Sequence, residues 1–278
     1  MAIKNLLVTY SGSASSDAAL DFALFMRNKY DAHLTGLLAH NFAPINPNVS
    51  SWIPEELRES IKKARVKASK AIENQFKERI ANNPAADKIH WISKRGESDT
   101  TVAKYARLYD LTIIGRYDAV HGEGQVELHP DMIAMISGRP VLLIPREFDM
   151  ASFTEHAVLA WDGKRASSRA LADAMQILET KSLVTIVTVD DGDAGLVLPG
   201  IDAGTALQRH GIKTEQVVLK RGDKSVGKRI LKFLEQMQPQ PGLLVMGAYE
   251  HSKFRQSIVG GVTSSVLKKA KVPIIISH

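Results

Sequence analysis

The sequence predicts an α/β protein made of two repeated open-sheet parallel layers, five strands each, and three observations lead there. Short runs of Val, Ile and Leu alternate with longer segments of helical period. Unbroken apolar runs of this length belong to parallel strands covered by helices on both faces. Segments from the first half of the chain then recur in the second half in the same order, which marks a duplication.

The elements follow from the N-terminus. LLVTY (6–10) reads as a strand that runs into Ser11-Gly12-Ser13 and then an Ala/Leu pattern of helical period. Ser11 or Ser13 is the expected N-cap, with Ser15, Ser16 and Asp17 in the first turn. HLTGLLAH (33–40) is the second strand. NFAPINPNVSSWI (41–53) is read as an inserted loop, followed by a long helix through residue 80. Its expected apolar stripe is Ile61, Ala64, Ala68, Ile72, Phe76 and Ile80. The Lys and Arg around it fit a nucleic-acid or membrane-surface helix, or a solvated face laced with i,i+4 ion pairs, and the second reading is adopted. IHWISK, LTIIG and VLLIP complete the first set of strands. AVLAW, LVTIVTV, EQVVLK, LLVMG and PIIIS form the second set.

The repeat is specific. Residues 95–118 correspond to 221–250, and SGRPVLLIP (137–145) to AKVPIIISH (270–278). The opening stretch matches VLAWDGKRASSRAL (158–171), pairing Gly12 with Gly163, Ser16 with Ser167, and Ala19-Leu20 with Ala170-Leu171. PREFDMASFTEH (145–156), polar and without period, separates the halves, so two domains are expected, 1–149 and 150–278. VLLIP and PIIIS are both apolar and terminal, and an open edge there would invite aggregation. They are expected to lie together across a pseudo-twofold axis, making the halves an internal dimer.

Composition narrows the function. The 278 residues carry a net charge of +6, with 36 Lys and Arg interspersed among 30 Asp and Glu and only 6% aromatics. That balance argues against a nucleic-acid partner. The absence of Cys excludes disulfides and thiolate chemistry and fits a reducing cytoplasm. No apolar run approaches the roughly 20 residues of a membrane span, and the N-terminus lacks a signal-peptide core, so a cytoplasmic location without membrane contact is expected.

Several motifs fall short of a chemistry. Gly222, Gly227 and Lys228 have P-loop spacing, but Arg229 stands where a Mg²⁺-binding hydroxyl is needed. Ser11-Gly12-Ser13 resembles the SGG loop of ATP pyrophosphatases without its second glycine or its Asp offset. The nine His include no helical metal pair, and His121 and His129 lack a carboxylate array. No G-x-S-x-G elbow and no nucleophile–base pair is evident. The informative segment is MGAYEHSKFRQSIVGGVTSSVLKKAKVPIII (246–276). There a strand ends at Met246-Gly247, a basic loop follows, and Gly260-Gly261-Val262-Thr263 opens a helix. Glycines let backbone N–H groups approach an anion, and a helix N-terminus favours one. Asp162 ends the first strand of the same half, where a carboxylate can take both hydroxyls of a ribose. In an open sheet these strand ends meet at one crevice.

At these residues the sequence resembles the universal stress proteins in their tandem two-domain form, over essentially the whole chain. Members that bind nucleotide carry Gly-x2-Gly-x9-Gly-Ser/Thr after strand four and an Asp after strand one. Gly247 and Gly260 keep that spacing here, while Glu250 replaces the second Gly and Gly261 the Ser/Thr. Asp162 matches the Asp, Ala160 the residue two before it, Val189 the residue whose backbone meets adenine, and Met246 the residue before the loop. The resemblance implies a strand order of 3-2-1-4-5 in each half and pairing through the last strands, with a homodimer as a further association. It also implies ATP or another adenine nucleotide as ligand, with Mg²⁺ as the accompanying ion, at Ala160, Asp162, Val189, Met246, Gly247, Gly260, Gly261, Val262 and Thr263. In the first half Ser11 replaces the Asp, and Glu127-Leu128 fall where Gly260-Gly261 would align, so that half is expected to be a degenerate partner. The rival readings are a nucleotide-free interaction scaffold and a weak nucleotide hydrolase using the Lys253/Arg255 loop.

Overall fold

The computed structural model describes residues 3–40, 54–117, 127–190, 200–248 and 261–278. Ten strands form one mixed sheet: β1 Asn5–Thr9, β2 His33–His40, β3 Ile89–Arg95, β4 Leu111–Gly115, β5 Val141–Ile144, β6 His156–Ala160, β7 Leu183–Asp190, β8 Thr214–Lys220, β9 Leu243–Gly247 and β10 Ile274–Ser277. Their spatial order is β3-β2-β1-β4-β5-β10-β9-β6-β7-β8. Each half is therefore parallel in the order 3-2-1-4-5, and the halves meet antiparallel at β5 and β10.

The register at that seam carries the symmetry. Leu142 pairs with Ile275, Val141 with Ile276 and Leu143 with Ile274. The sequence repeat aligns Leu142 with Ile275 and Val141 with Ile274, so each residue faces its counterpart reflected about the central pair. The pseudo-twofold axis passes between Leu142 and Ile275, and the two halves form an intramolecular pseudo-dimer. All six side chains are buried.

Helices cover both faces. On one lie α1 Ala14–Tyr30, α2 Glu55–Ile80, α5 Arg165–Leu178 and α6 Ala203–Arg209; on the other lie α3 Ser98–Ala106, α4 Pro130–Ser137, α7 Val226–Gln236 and α8 Val262–Lys269. Ser13, not Ser11, caps α1: its side chain accepts from Ser16 N, and Ser16 Oγ accepts from Ser13 N, a reciprocal capping box. Gly36 of β2 lets α2 dock, because a Cβ there would stand 2.5 Å from the Phe76 ring. Phe76 also packs on Trp91 at 4.8 Å and edge-on to Tyr10 at 5.5 Å. Full burial of such a ring contributes about 1.5–3 kcal/mol.

Two expectations change. The inward face of α2 includes Ile61, Ile72, Phe76 and Ile80 as read, but Ala64 and Ala68 are exposed while Arg65 and Ser69 are half-buried in their place. Only the C-terminal part of α2 meets the sheet through large side chains, so the apolar pattern does not fix the facing of its first turns. The polar face does carry ion pairs, one at the expected i,i+4 spacing, Lys77–Glu73, and three at i,i+3, Arg58–Glu55, Lys62–Glu59 and Lys70–Glu73. The connection between the halves is also more than a polar spacer. Its Phe153 lies 5.2 Å from Phe22 and 5.4 Å from Phe25, and Phe148 lies 6.0 Å from Phe22. The inserted stretch 41–53 lies outside the described residues.

Candidate functional site

In the C-terminal half the chain leaves β6 toward α5 on one face and leaves β9 toward α8 on the other. Neighbouring strands that diverge in this way open a crevice at their carboxyl ends. β6 pairs with β9 up to Leu159 and Val245, and with β7 at Ala160 and Val187. Ala160, Met246 and Val189 thus converge at one end of the sheet, Met246 buried and the other two half-buried.

Asp162 stands on the turn that follows. Gly163, at φ 74°, turns the backbone there, as Gly12 does in the first half at φ 76°. Asp162 Oδ1 accepts from Lys164 N at 3.1 Å and from Ser167 Oγ at 2.6 Å. Lys164 is the N-cap of α5 and makes no side-chain capping bond, so Asp162 supplies that cap from two residues upstream. Ser167 is buried and fixes the carboxylate's orientation. Both bonds fall on Oδ1, and the carboxyl group is exposed to the crevice end of the turn.

Gly247 has a packing role that the sequence reading did not assign. A Cβ there would lie 2.6 Å from Ala166 C and Ser167 N, both backbone atoms of α5. Gly115, at the same place in the first half, would meet Ser15 O at 2.0 Å. In each half a helix crosses the end of strand four too closely for any side chain, so this glycine is required with or without a ligand.

Gly261 caps α8 with ordinary extended geometry, Val262 is exposed and Thr263 is buried in the first turn. Gly260, Glu250, Lys253 and Arg255 lie outside the described residues, as does His121. The sequence reading also passed over His278. Its Nδ1 lies 2.8 Å from Ala248 O, a group that only accepts, so Nδ1 carries the proton. Nε2 is then the acceptor for Arg165 Nη2 at 3.3 Å. This pair ties the end of β10 to the start of α5 beside the base of the β9 loop.

The near-P-loop lies elsewhere. Lys220–Ser225 and Asp190 border an open basin of about 700 Å3 at the ends of β7 and β8, toward the outer edge of the sheet. Ser225 caps α7 by accepting from Lys228 N at 3.4 Å. In the first half, His129 donates through its backbone N at 2.9 Å to Asp99 Oδ1 and through Nδ1 at 2.7 Å to Oδ2, tying the start of α4 to the start of α3. Burial opposes charge on that ring, but the Asp99 bond and charge, with Glu127 and Asp131 behind it, hold its pKa above the usual value. Among the described residues no group of three His, Asp or Glu is arranged to hold a metal.

Comparison with known proteins places this architecture. Residues 154–278 match the model of the universal stress protein family. The C-terminal half of the chain is thus similar to that family. A curated relative, universal stress protein Slr1230 of Synechocystis, is 26% identical over 179 residues, which is 60% of this chain and 57% of that protein. The match thus spans little more than half of the relative's length. Over the whole chain, a universal stress protein of Archaeoglobus fulgidus DSM 4304 superposes with a TM-score of 0.69 at 18% identity, covering 99% of this chain and 98% of that one. A functionally unknown protein of Pseudomonas aeruginosa PAO1 gives 0.62 at 13% identity, covering 99% and 92%. The fold of the whole chain is therefore shared with full-length structures of low sequence identity. No helix among the described residues is long and apolar enough to cross a membrane.

Proposed function

We propose that this chain is a tandem universal stress protein that works in the cytoplasm and binds an adenine nucleotide, ATP or AMP, in its C-terminal half. On this reading residues 150–278 are the binding domain and residues 1–149 its structural partner. The observation that carries the proposal is Asp162, a carboxylate at the switch point whose orientation is set through Oδ1 by Ser167 and Lys164. Oδ2 is then the acceptor for the ribose hydroxyls. Ala160, Val189 and Met246 offer an apolar wall suited to a base, and Gly247 admits α5 close beside it. The start of α8, Gly261, Val262 and Thr263, supplies N–H donors that suit a phosphate, and Gly260 completes the set on the sequence pattern alone.

These residues fit the adenosine part of the ligand. Mg²⁺ fits only as an ion carried by the phosphates, because the described side chains supply no cage for it. Binding is favoured over hydrolysis. His278, the imidazole beside the β9 loop, has both ring nitrogens engaged, and among the described residues no other side chain at this crevice is placed as a general base.

The test is calorimetry with AMP, ATP and adenosine on Asp162→Ala and Asp162→Asn, alongside mass spectrometry of nucleotide released from the purified protein. Asn keeps an acceptor for the α5 cap and loses only the charge. A lost charge-assisted hydrogen bond costs about 1.5–3 kcal/mol, roughly ten- to hundred-fold in affinity. All three ligands should weaken to a similar degree, since they share the ribose. Unchanged affinity in both variants would refute the assignment.

A further inference from the structure

The switch point of the N-terminal half, between β1 and β4, holds a cavity of about 230 Å3. It is built differently from the crevice in the other half. The serines of the β1–α1 turn form one side, with Ser11 Oγ 3.0 Å from Ser13 Oγ and Ser13 Oγ 3.2 Å from Ser15 Oγ. The end of β2, Leu37–His40, forms another side, and α2 forms the roof through Ala68, Ser69 and Ile72. That roof is particular to this half, because α2 has 26 residues where its counterpart α6 has 7. It also reaches the β1–α1 turn. A Cβ on Gly12 would lie 2.4 Å from Gln75 Oε1 and 3.6 Å from Ile72 Cγ1.

Among the described residues the lining carries no Lys, Arg, Asp or Glu. Ser11 stands where Asp162 stands in the other half. Among the described lining residues, the group that titrates near neutrality is His40, whose pKa is lowered by burial and secondarily by the Arg95 charge, so its ring favours the neutral form. Its Nε2 lies 3.2 Å from Ser93 Oγ. An anion entering this space would leave water without gaining an opposite charge, an expensive transfer. A hydroxyl or amide would meet Ser11 Oγ and Ser15 Oγ, which lie outside the α1 capping box and can each donate or accept. An apolar cavity of about 150 Å3 accepts benzene, so this one has room for a bicyclic ring.

We propose that this cavity is a second ligand site, specific for a small uncharged molecule with a ring-sized apolar body and a hydroxyl or amide edge, and that it rejects phosphorylated ligands. The inference is independent of the nucleotide reading of the C-terminal half.

The test uses an isosteric pair, indole-3-carboxamide and indole-3-carboxylate, titrated into the full chain by saturation-transfer NMR. The amide should bind, the carboxylate at least about ten-fold more weakly, and excess AMP should not displace the amide. Ala68→Phe, at an exposed position of the roof, should abolish amide binding. Ser11→Lys should reverse the preference toward the carboxylate by supplying the missing charge. Equal binding of the two probes, displacement by AMP, indifference to Ala68→Phe, or no binding of the amide at millimolar concentration would each overturn the proposal.

Discussion

Lys181 sits at the seam between the halves and should make the stability of the whole chain depend on alkaline pH. It is 7% exposed, its Nζ lies 3.8 Å from the centroid of the Phe153 ring, and it donates to Thr154 O at 3.1 Å. Burial is the largest influence on its charge, the positive charge of Lys29 adds to it, and Glu155 opposes both; together they lower the pKa from 10.5 to about 8. A lysine whose folded pKa is depressed releases its proton in the folded state first. The unfolded chain then binds more protons between about pH 8 and 10.5, and stability rises with pH across that window. A tenfold difference in proton affinity between the folded and unfolded chain is worth about 1.4 kcal/mol, so the full swing is about 3 kcal/mol, of which about 2 is realised between pH 7 and about pH 9.5. Lys181→Met keeps the stem against Phe153 and removes the titration. Urea unfolding of both proteins at steps across pH 7–9.5 should show the wild type gaining about 2 kcal/mol relative to the variant. Curves that stay parallel through the window would mean that the ammonium is solvated in the folded state, and the reasoning would fail.

Gly247→Ala should cost about 1–3 kcal/mol or more by urea unfolding, because its Cβ would press on the α5 backbone rather than on a movable side chain. Gly115→Ala should behave alike, and a loss confined to nucleotide affinity in Gly247→Ala would contradict the packing role. His129→Ala should destabilise by under about 1 kcal/mol, since the ring is half exposed. Its folded pKa is raised, so the loss should be full below about pH 6.5 and fade as pH rises through the folded value. A loss that grows with pH would show that the Asp99 contact is not charge-assisted.

The ten strands were legible because a parallel strand between two helical layers must be apolar on both sides, which leaves an unbroken run such as LLVMG or VLLIP. Strand order came from the family resemblance, and the repeat supported the pairing of β5 with β10, since two equivalent apolar edges in one chain have each other as the nearest cover. The facing of α2 was less legible. Ala64 and Ala68 fit the stripe as well as Ile61 does, and alanine is too small to decide which side meets the protein. Phe148 and Phe153 were missed because an irregular linker has no period from which to infer burial. Gly247 was read for its place beside a ligand, and its close approach to the α5 backbone was not legible because that contact is remote in sequence.

The two glycines, Gly115 and Gly247, show how the repeat can be used. Each half is an internal control for the other, since both must satisfy the same sheet. Gly12 and Gly163 share a left-handed turn, Gly115 and Gly247 a close helix approach, and Leu142 and Ile275 the symmetry axis. Features kept in both halves are those the fold requires, and they say nothing about a ligand. The information about function lies where the halves diverge. Ser11 against Asp162 exchanges a neutral hydroxyl for a charge at the same strand end, and α2 against α6 exchanges a long roof for a short one. The two differences act together: a carboxylate at position 11 would stand in a cavity roofed by α2, where loss of water costs a charge more than it costs a hydroxyl. Replacing Ser11 with Asp alone would therefore not recreate the C-terminal site, because the α2 roof over the first cavity would penalise the new charge.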